Sequence, residues 1–417
     1  MNFHNPLCLL ALPLLSLACI LPASAEPVVL QFWAMGREGE LVKSLLPEFE
    51  SRNPGLKVKV QQVPWNAAHE KLLTAYAGEA LPDVFQLGTT WIPEFVALHA
   101  LEPFAPEPFR QDFFPAVLAA NELDGRLWCV PWYVDTRVLF YRSDLLAQAG
   151  WPEPPRDWDG WLAAMAALRR MDGERYAILA PANEWELPVI LGLQRGAGLL
   201  RDGARFGDFQ GAAFRRGLAV YLDLFRRGLA PALAQTQVAN LYQEFAEGYF
   251  AIYLSGPWNL GEFRRRLPPE LQDAWATAPL PSFDGREPGL SLAGGAGLAV
   301  SARSPHKEQA AKLVAFLAEP AQQLQFYRLS GDLPPGRAAW DDPVLAADPK
   351  ARAFRVQLDH LAAVPKIPEW ERIAAKLAEK TERLVRRELA EDQALEELDR
   401  ATDAILEKRR WLLDRRR

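Results

Sequence analysis

Apolar and polar positions along this chain predict strands and helices in strict succession. Val28-Val29-Leu30-Gln31-Phe32-Trp33 reads as a buried strand, and Ala34 to Gly39 as a glycine-bearing loop. Leu41, Val42, Leu45, Leu46 and Phe49 then recur at helical spacing until Asn53-Pro54-Gly55 ends the helix. Lys57 to Val63 alternates with period two, as a strand does, and Ala67 to Ala77 is helical and stops at Gly78. Pro82 to Leu87 predicts a third strand and Trp91 to Leu98 a third helix. This β-α-β-α-β-α order implies an α/β fold on a parallel sheet with right-handed crossovers. Ligands of such sheets sit beyond the carboxyl ends of the strands. Here that puts the loops Trp33–Gly39, Pro64–Asn66 and Gly88–Trp91 along one rim.

A second unit starts after the hairpin-type turn Asp124-Gly125. Arg126 to Val130 reads as a strand, Pro131 to Thr136 as a connection, and Arg137 to Tyr141 as the next strand. Asp144 and Asp157 are candidate helix caps. Phe214 to Gly228, Leu241 to Glu247 and His306 to Leu317 read as helices, and Tyr249 to Leu254 and Leu298 to Val300 as strands. From Ile373 onward the chain is a charged amphipathic helix or helix pair.

The first 25 residues stand apart. Leu7 to Leu21 is almost wholly apolar and is followed by Ala23-Ser24-Ala25. A run of about 15 residues is shorter than the ~20 a spanning helix needs, but it suits a signal peptide cleaved near Ala25. No Lys or Arg precedes the run, and Cys19 is an alternative lipid-attachment site. After cleavage only Cys129 of the three cysteines remains, so no internal disulfide can form.

At 417 residues the chain is long enough for two or three domains. A net charge of −6 provides no basic field for a phosphate backbone, so nucleic acid is excluded as a partner. No phosphate-binding loop, nucleophile elbow or dinucleotide fingerprint is present, so no cofactor is expected. His69-Glu70 begins like a zinc-protease helix, but Leu73 stands where the second ligand belongs, so no metal is expected either. Glu38 and Asp135 could converge as a glycosidase pair, but any acidic chain offers such pairs.

Aromatic and polar groups gather instead at strand ends and turns. Trp33 with Glu38, Trp65-Asn66, Thr89-Thr90-Trp91, Trp132-Tyr133-Val134-Asp135, Glu184-Trp185 and Trp258-Asn259 all fall there. A pyranose needs this pairing, because its C–H face packs on an aromatic ring and its edge hydroxyls seek carboxylates, amides and cations. For Trp33, Trp91 and Trp161 taken singly, core packing explains the residue as well. For Trp132, Tyr133 and Asp135 together it does so less readily, since a carboxylate flanked by aromatics after a proline is poor core material.

At these residues the chain resembles the extracellular solute-binding proteins of bacterial sugar ABC importers, particularly those for maltose and trehalose. The resemblance is carried by Phe32-Trp33 with Glu38 to Arg52, Leu81-Pro82-Asp83-Val84-Phe85 and Gly125 to Leu146. It continues through Phe245 to Gly248, Gly256-Pro257-Trp258, Ala278 to Pro281, Gly294-Gly295 and Gly331-Asp332-Leu333-Pro334, in family order across nearly the whole chain.

The resemblance implies a two-lobed, type II periplasmic-binding-protein fold with a hinge and an interlobe cleft. Lobe 1 is expected at 26–136 and 296–345, and lobe 2 at 137–295 and 346–417, within about ten residues. It implies a monomeric periplasmic receptor, not an enzyme, which binds a di- or oligosaccharide and delivers it to the permease subunits. Glu38 becomes a hydroxyl acceptor, Tyr133 and Asp135 the ring and carboxylate near the lobe crossing, and Trp258 a stacking platform. Trp33, Trp65, Asn66, Thr90, Trp185, Gly295 and Lys366 complete the candidate ligand set. Three positions depart from the family pattern: Gly88-Thr89-Thr90 replaces an expected Asp, Ala296 an aromatic and Lys366 an Arg. Glu40 could take the place of Glu38 if the loop aligns differently. A same-fold receptor for another solute, such as a polyamine, and a secreted carbohydrate-active enzyme are the alternatives.

Overall fold

The computed structural model describes residues 26–415, together with Met1. The expected signal peptide and Cys19 lie outside the described residues. The strands that organise the fold are β1 (Val28–Met35), β2 (Leu56–Val63), β3 (Val84–Gly88), β4 (Leu101–Glu102), β5 (Val130–Asp135), β6 (Val138–Arg142), β7 (Tyr176–Leu179), β8 (Phe250–Ser255), β9 (Trp275–Ala278) and β10 (Gly294–Ser301).

Two sheets carry two lobes. The first runs β2-β1-β3-β10-β4, with β5 also paired to β10. Strand β1 is parallel to β2 and β3, as the βαβ pattern requires, while β10 is antiparallel to β3. The second sheet runs β9-β6-β8-β7 and is antiparallel except for β7 with β8. A purely parallel sheet is therefore an incomplete description, because the returning strand β10 lies more than 200 positions after β3 and no local pattern announces its direction.

Several boundaries differ from the sequence reading for identifiable reasons. The helix expected over Leu41 to Phe49 breaks into Glu38–Leu41, a 3₁₀ turn at Val42–Ser44 and Leu46–Arg52. Pro47 has no N–H to close onto a carbonyl one turn back, so a continuous helix cannot form through it. Strand β1 is buried on both faces only toward its end, where Ala34 and Met35 are inaccessible, whereas Val29 and Gln31 are exposed. Pro131 to Asp135 is strand rather than connection, and Arg126–Leu127 forms only a short hairpin with Glu122–Leu123. Asp157 caps its helix by accepting from Gly160 N–H at 2.7 Å. Asp144 does not cap; its two carboxylate oxygens instead accept from Nε and Nη2 of Arg142, at 2.8 and 2.6 Å. The C-terminal amphipathic stretch forms three helices, Trp370–Val385, Glu391–Ile405 and Glu407–Arg415.

The core of the first lobe gathers Leu30, Phe32, Phe49, Trp132, Leu298 and Phe326 on one face of its sheet. The second lobe buries Trp158, Trp161, Phe214, Trp370 and Leu377. Trp161 is thus a core residue. Among the described residues no helix is long and apolar enough to cross a membrane, and no group of three or more His, Cys, Asp or Glu is placed to hold a metal. Cys129 is buried as a free thiol.

Candidate functional site

Strand β1 ends at Met35, and Gly36 turns the chain at φ +53° into Arg37 and Glu38. Glu38 then starts the short helix Glu38–Leu41, so its side chain is buried at the rim of the first sheet, while Glu40 is exposed. Strand β5 delivers Tyr133 and Asp135 to the same rim. Tyr133 Oη donates to Glu38 Oε1 at 3.2 Å and accepts from Gln86 Nε2 at 2.7 Å. β5 can reach that place because β10 has glycines beside it: Gly295 has φ +141°, and a Cβ there would stand 2.6 Å from the Tyr133 carbonyl oxygen. Such a backbone favours glycine and forbids a branched side chain.

Between the lobes lies a cavity of about 440 Å³. The first sheet's rim supplies Arg37, Glu38, Trp65, Thr90 and Trp91, the lobe crossing Tyr133, Asp135 and Arg137. Trp185, Glu186, Trp258 and Glu262 face them from the second lobe, and Gly295 and Asp332 also line the space. Trp65 and Trp91 meet edge to face at 5.8 Å. Arg137 pairs with Asp135 and Glu186, each at 3.1 Å, and its guanidinium lies 4.7 Å over the Trp258 ring. Arg37 reaches across to Glu262 at 3.4 Å.

Of the candidates, Glu38, Trp65, Thr90, Tyr133, Asp135, Trp185, Trp258 and Gly295 come together in this cavity. Three do not line it. Trp33 sits two residues inside β1, on the opposite face from Phe32, with the Lys71 ammonium 4.8 Å over its ring. Asn66 follows Trp65 on the helix Trp65–Ala77, and one residue is about 100° of rotation, which turns it to solvent. Lys366 donates to the carbonyl oxygens of Ala119 and Glu122 and so ties segments of the chain beside the cavity.

Arg137, Glu186, Glu262, Arg37 and Asp332 were not singled out from the sequence. Arg137 stands two residues after Asp135, in the short connection between β5 and β6, where its guanidinium folds back onto the Asp135 carboxylate. Asp332 belongs to the Gly331-Asp332-Leu333-Pro334 block that supported the resemblance. It is buried, its Oδ1 has no hydrogen-bond partner among the described residues, and its N–H donates to Ser330 Oγ at 2.9 Å.

The family model for bacterial extracellular solute-binding proteins matches residues 35–324. The chain belongs to that family. The structure of the sugar-binding protein MalE from Xanthomonas citri is 47% identical, with a TM-score of 0.86, over 93% of this chain and 99% of that one. A putative binding protein of Brucella abortus is 26% identical over 89% of this chain and 91% of its own length. The galactooligosaccharide-binding protein of Bacillus subtilis is 24% identical over 84% and 83%.

The cleft of this solute-binding protein is electrostatically divided. Burial pushes the carboxyls of Glu38, Asp135 and Asp332 above their ordinary range. Arg137 opposes that rise at Asp135, whereas Glu38 adds to it at Asp332. Burial and the neighbouring Glu38 also raise the Tyr133 hydroxyl far above its usual range, so it stays a neutral donor. Arg137 serves one carboxylate pair, and Glu38 and Asp332 are left to share the far side of the cavity.

Proposed function

We propose that this protein is the receptor of a sugar importer. It captures a di- or oligosaccharide of the maltose or trehalose type by closing its lobes and delivers it to the membrane permease of an ABC transporter. The carrying observation is the cavity wall, where Trp65, Trp91, Trp185 and Trp258 stand among Glu38, Asp135, Glu186, Glu262 and Asp332. Rings take the apolar faces of a sugar, and carboxylates take its hydroxyl donors. The Xanthomonas citri and Bacillus subtilis relatives, both described as sugar binders, support the same reading.

Ligand contacts from both lobes favour closure, because only a ligand with differential affinity shifts the equilibrium. We place the lobe divisions near 136, 296 and 345. Glu38 and Tyr133 grip the sugar from the first lobe, and Trp185 and Trp258 from the second. The mature protein is a periplasmic monomer cleaved near Ala25, and it releases its ligand chemically unchanged.

Calorimetry against mono- and disaccharides tests the reading, with chromatography of the recovered sugar and solution scattering. Stoichiometric binding, intact sugar and a more compact protein are expected. Turnover of the sugar, or binding without contraction, overturns it. A polyamine is the second reading, since among the described residues Glu38 and Asp332 make no ion pair in the cleft; tight spermidine binding with no response to sugars decides for it.

A further inference from the structure

Gln86 is a fully buried polar side chain in β3, between Phe85 and Leu87. Strands β1 and β3 pair only at Phe32–Val84 and Trp33–Phe85, so beyond them the Met35 N–H turns to a side chain for its partner. Gln86 Oε1 accepts that N–H at 2.7 Å, and Gln86 Nε2 lies 2.7 Å from Tyr133 Oη.

A backbone N–H can only donate, so the amide oxygen must face Met35 and the NH₂ must face Tyr133. The Tyr133 oxygen therefore receives a hydrogen bond from Gln86, and its own single proton goes to Glu38 Oε1, 3.2 Å away. We propose that Gln86 is a positioning residue that sets the direction of this relay, holding Tyr133 as donor and Glu38 as an acceptor that reads hydroxyl groups of the bound ligand. The assignment rests on the sugar reading above. An apolar residue of the same size would fill the space but would leave both the Met35 N–H and the direction of the Tyr133 proton unsettled. The other ionisable groups facing Tyr133 and Glu38 are Asp332, Asp135 and Arg37, and none of them supplies the donor that Gln86 supplies.

Gln86→Glu in the full mature protein keeps the shape and reverses the relay. One carboxylate oxygen still accepts from Met35, but the other now needs a proton and draws that of Tyr133 away from Glu38. The affinity for whichever sugar the wild type binds best should fall at least tenfold at pH 7.5. The loss should shrink as pH falls, because the introduced carboxyl, once protonated, donates to Tyr133 again. In a Tyr133→Phe background the same substitution should add no such pH-dependent loss. Carbon-13 carboxyl titration of Glu38 without ligand should move upward from the wild type to Gln86→Glu, and by more than the same substitution moves it within the Tyr133→Phe background.

Unchanged affinity across pH together with unchanged Glu38 titration overturns the proposal. A wild type that binds no sugar, with a Glu38 titration that still moves, keeps the relay and overturns the sugar reading instead. Should Gln86→Glu not fold, Gln86→Met removes both bonds at similar length. Its affinity loss must then vanish in the Tyr133→Phe background, and additive losses overturn the proposal.

Discussion

The guanidinium of Arg137 covers the ring of Trp258 at 4.7 Å while it holds Asp135 and Glu186, each at 3.1 Å. One cation thus pins the lobe crossing to the helix Trp258–Arg266 of the second lobe and neutralises two acids of the cleft. Arg137→Met keeps the chain length and removes the charge. Both acids would be left half-buried and unpaired, so stability should fall by about 2 kcal/mol, less than for a fully buried pair because water reaches these groups. Urea denaturation checks this, and an unchanged midpoint would show the pairs to be idle.

Trp258→Ala should act on binding and on stability together. Loss of a buried aromatic anchor costs roughly 2 kcal/mol of binding free energy, about a 30-fold weaker Kd. The cation–π contact with Arg137 adds about 1 kcal/mol to the stability of the ligand-free protein. Calorimetry and thermal melts on one preparation separate the two. Normal sugar affinity in the variant removes Trp258 from the binding surface.

Glu184 makes stability depend on pH. Burial, with the neighbouring Glu186 adding and Arg137 opposing, lifts its carboxyl from 4.5 to about 7. The folded protein therefore holds a proton that the unfolded chain releases, and stability falls as pH rises between about 4.5 and about 7. In Glu184→Gln this decline should be absent, so the variant gains on the wild type at pH 8 and gains nothing at pH 4. Parallel stability curves for the two proteins would contradict the assignment.

Gly36→Ala should damage the site by displacing two of the side chains that line it. At φ +53° an added Cβ would lie 2.7 Å from Glu38 Oε2 and 2.7 Å from Trp65 Cδ1. Both side chains must move, and a left-handed alanine costs about 1 kcal/mol. The expected result is a modest loss of stability with a tenfold or greater loss of sugar affinity. A variant that melts earlier but binds normally would show that Glu38 and Trp65 adapt.

The first three strands and the body of the helix from Ala67 to Ala77 were legible in apolar runs and short periods, and the loops expected after β1 and before that helix carry Glu38 and Trp65, although Trp65 and Asn66 open the helix itself. The placement of Trp33 was not legible. Its position depends on how far β1 continues, and the strand extends to Met35 because β2 pairs with it along its whole length. Asn66 lies one residue of helical rotation away from the cavity, and Lys366 is held by carbonyls of a segment some 240 positions away, neither of which a local pattern encodes.

What this sequence determined by itself is the local order of elements and the presence of aromatic and acidic residues where strands end, since hydrophobic period and turn chemistry are properties of neighbours along the chain. The tertiary structure alone decided that β10 returns antiparallel beside β3 and β5, that Arg137 bridges Asp135, Glu186 and Trp258, and that Gln86 orients Tyr133 toward Glu38. Those relationships join residues tens to hundreds of positions apart. Burial and hydrogen-bond direction exist only once the sheets have packed, so no pattern of neighbouring residues encodes them.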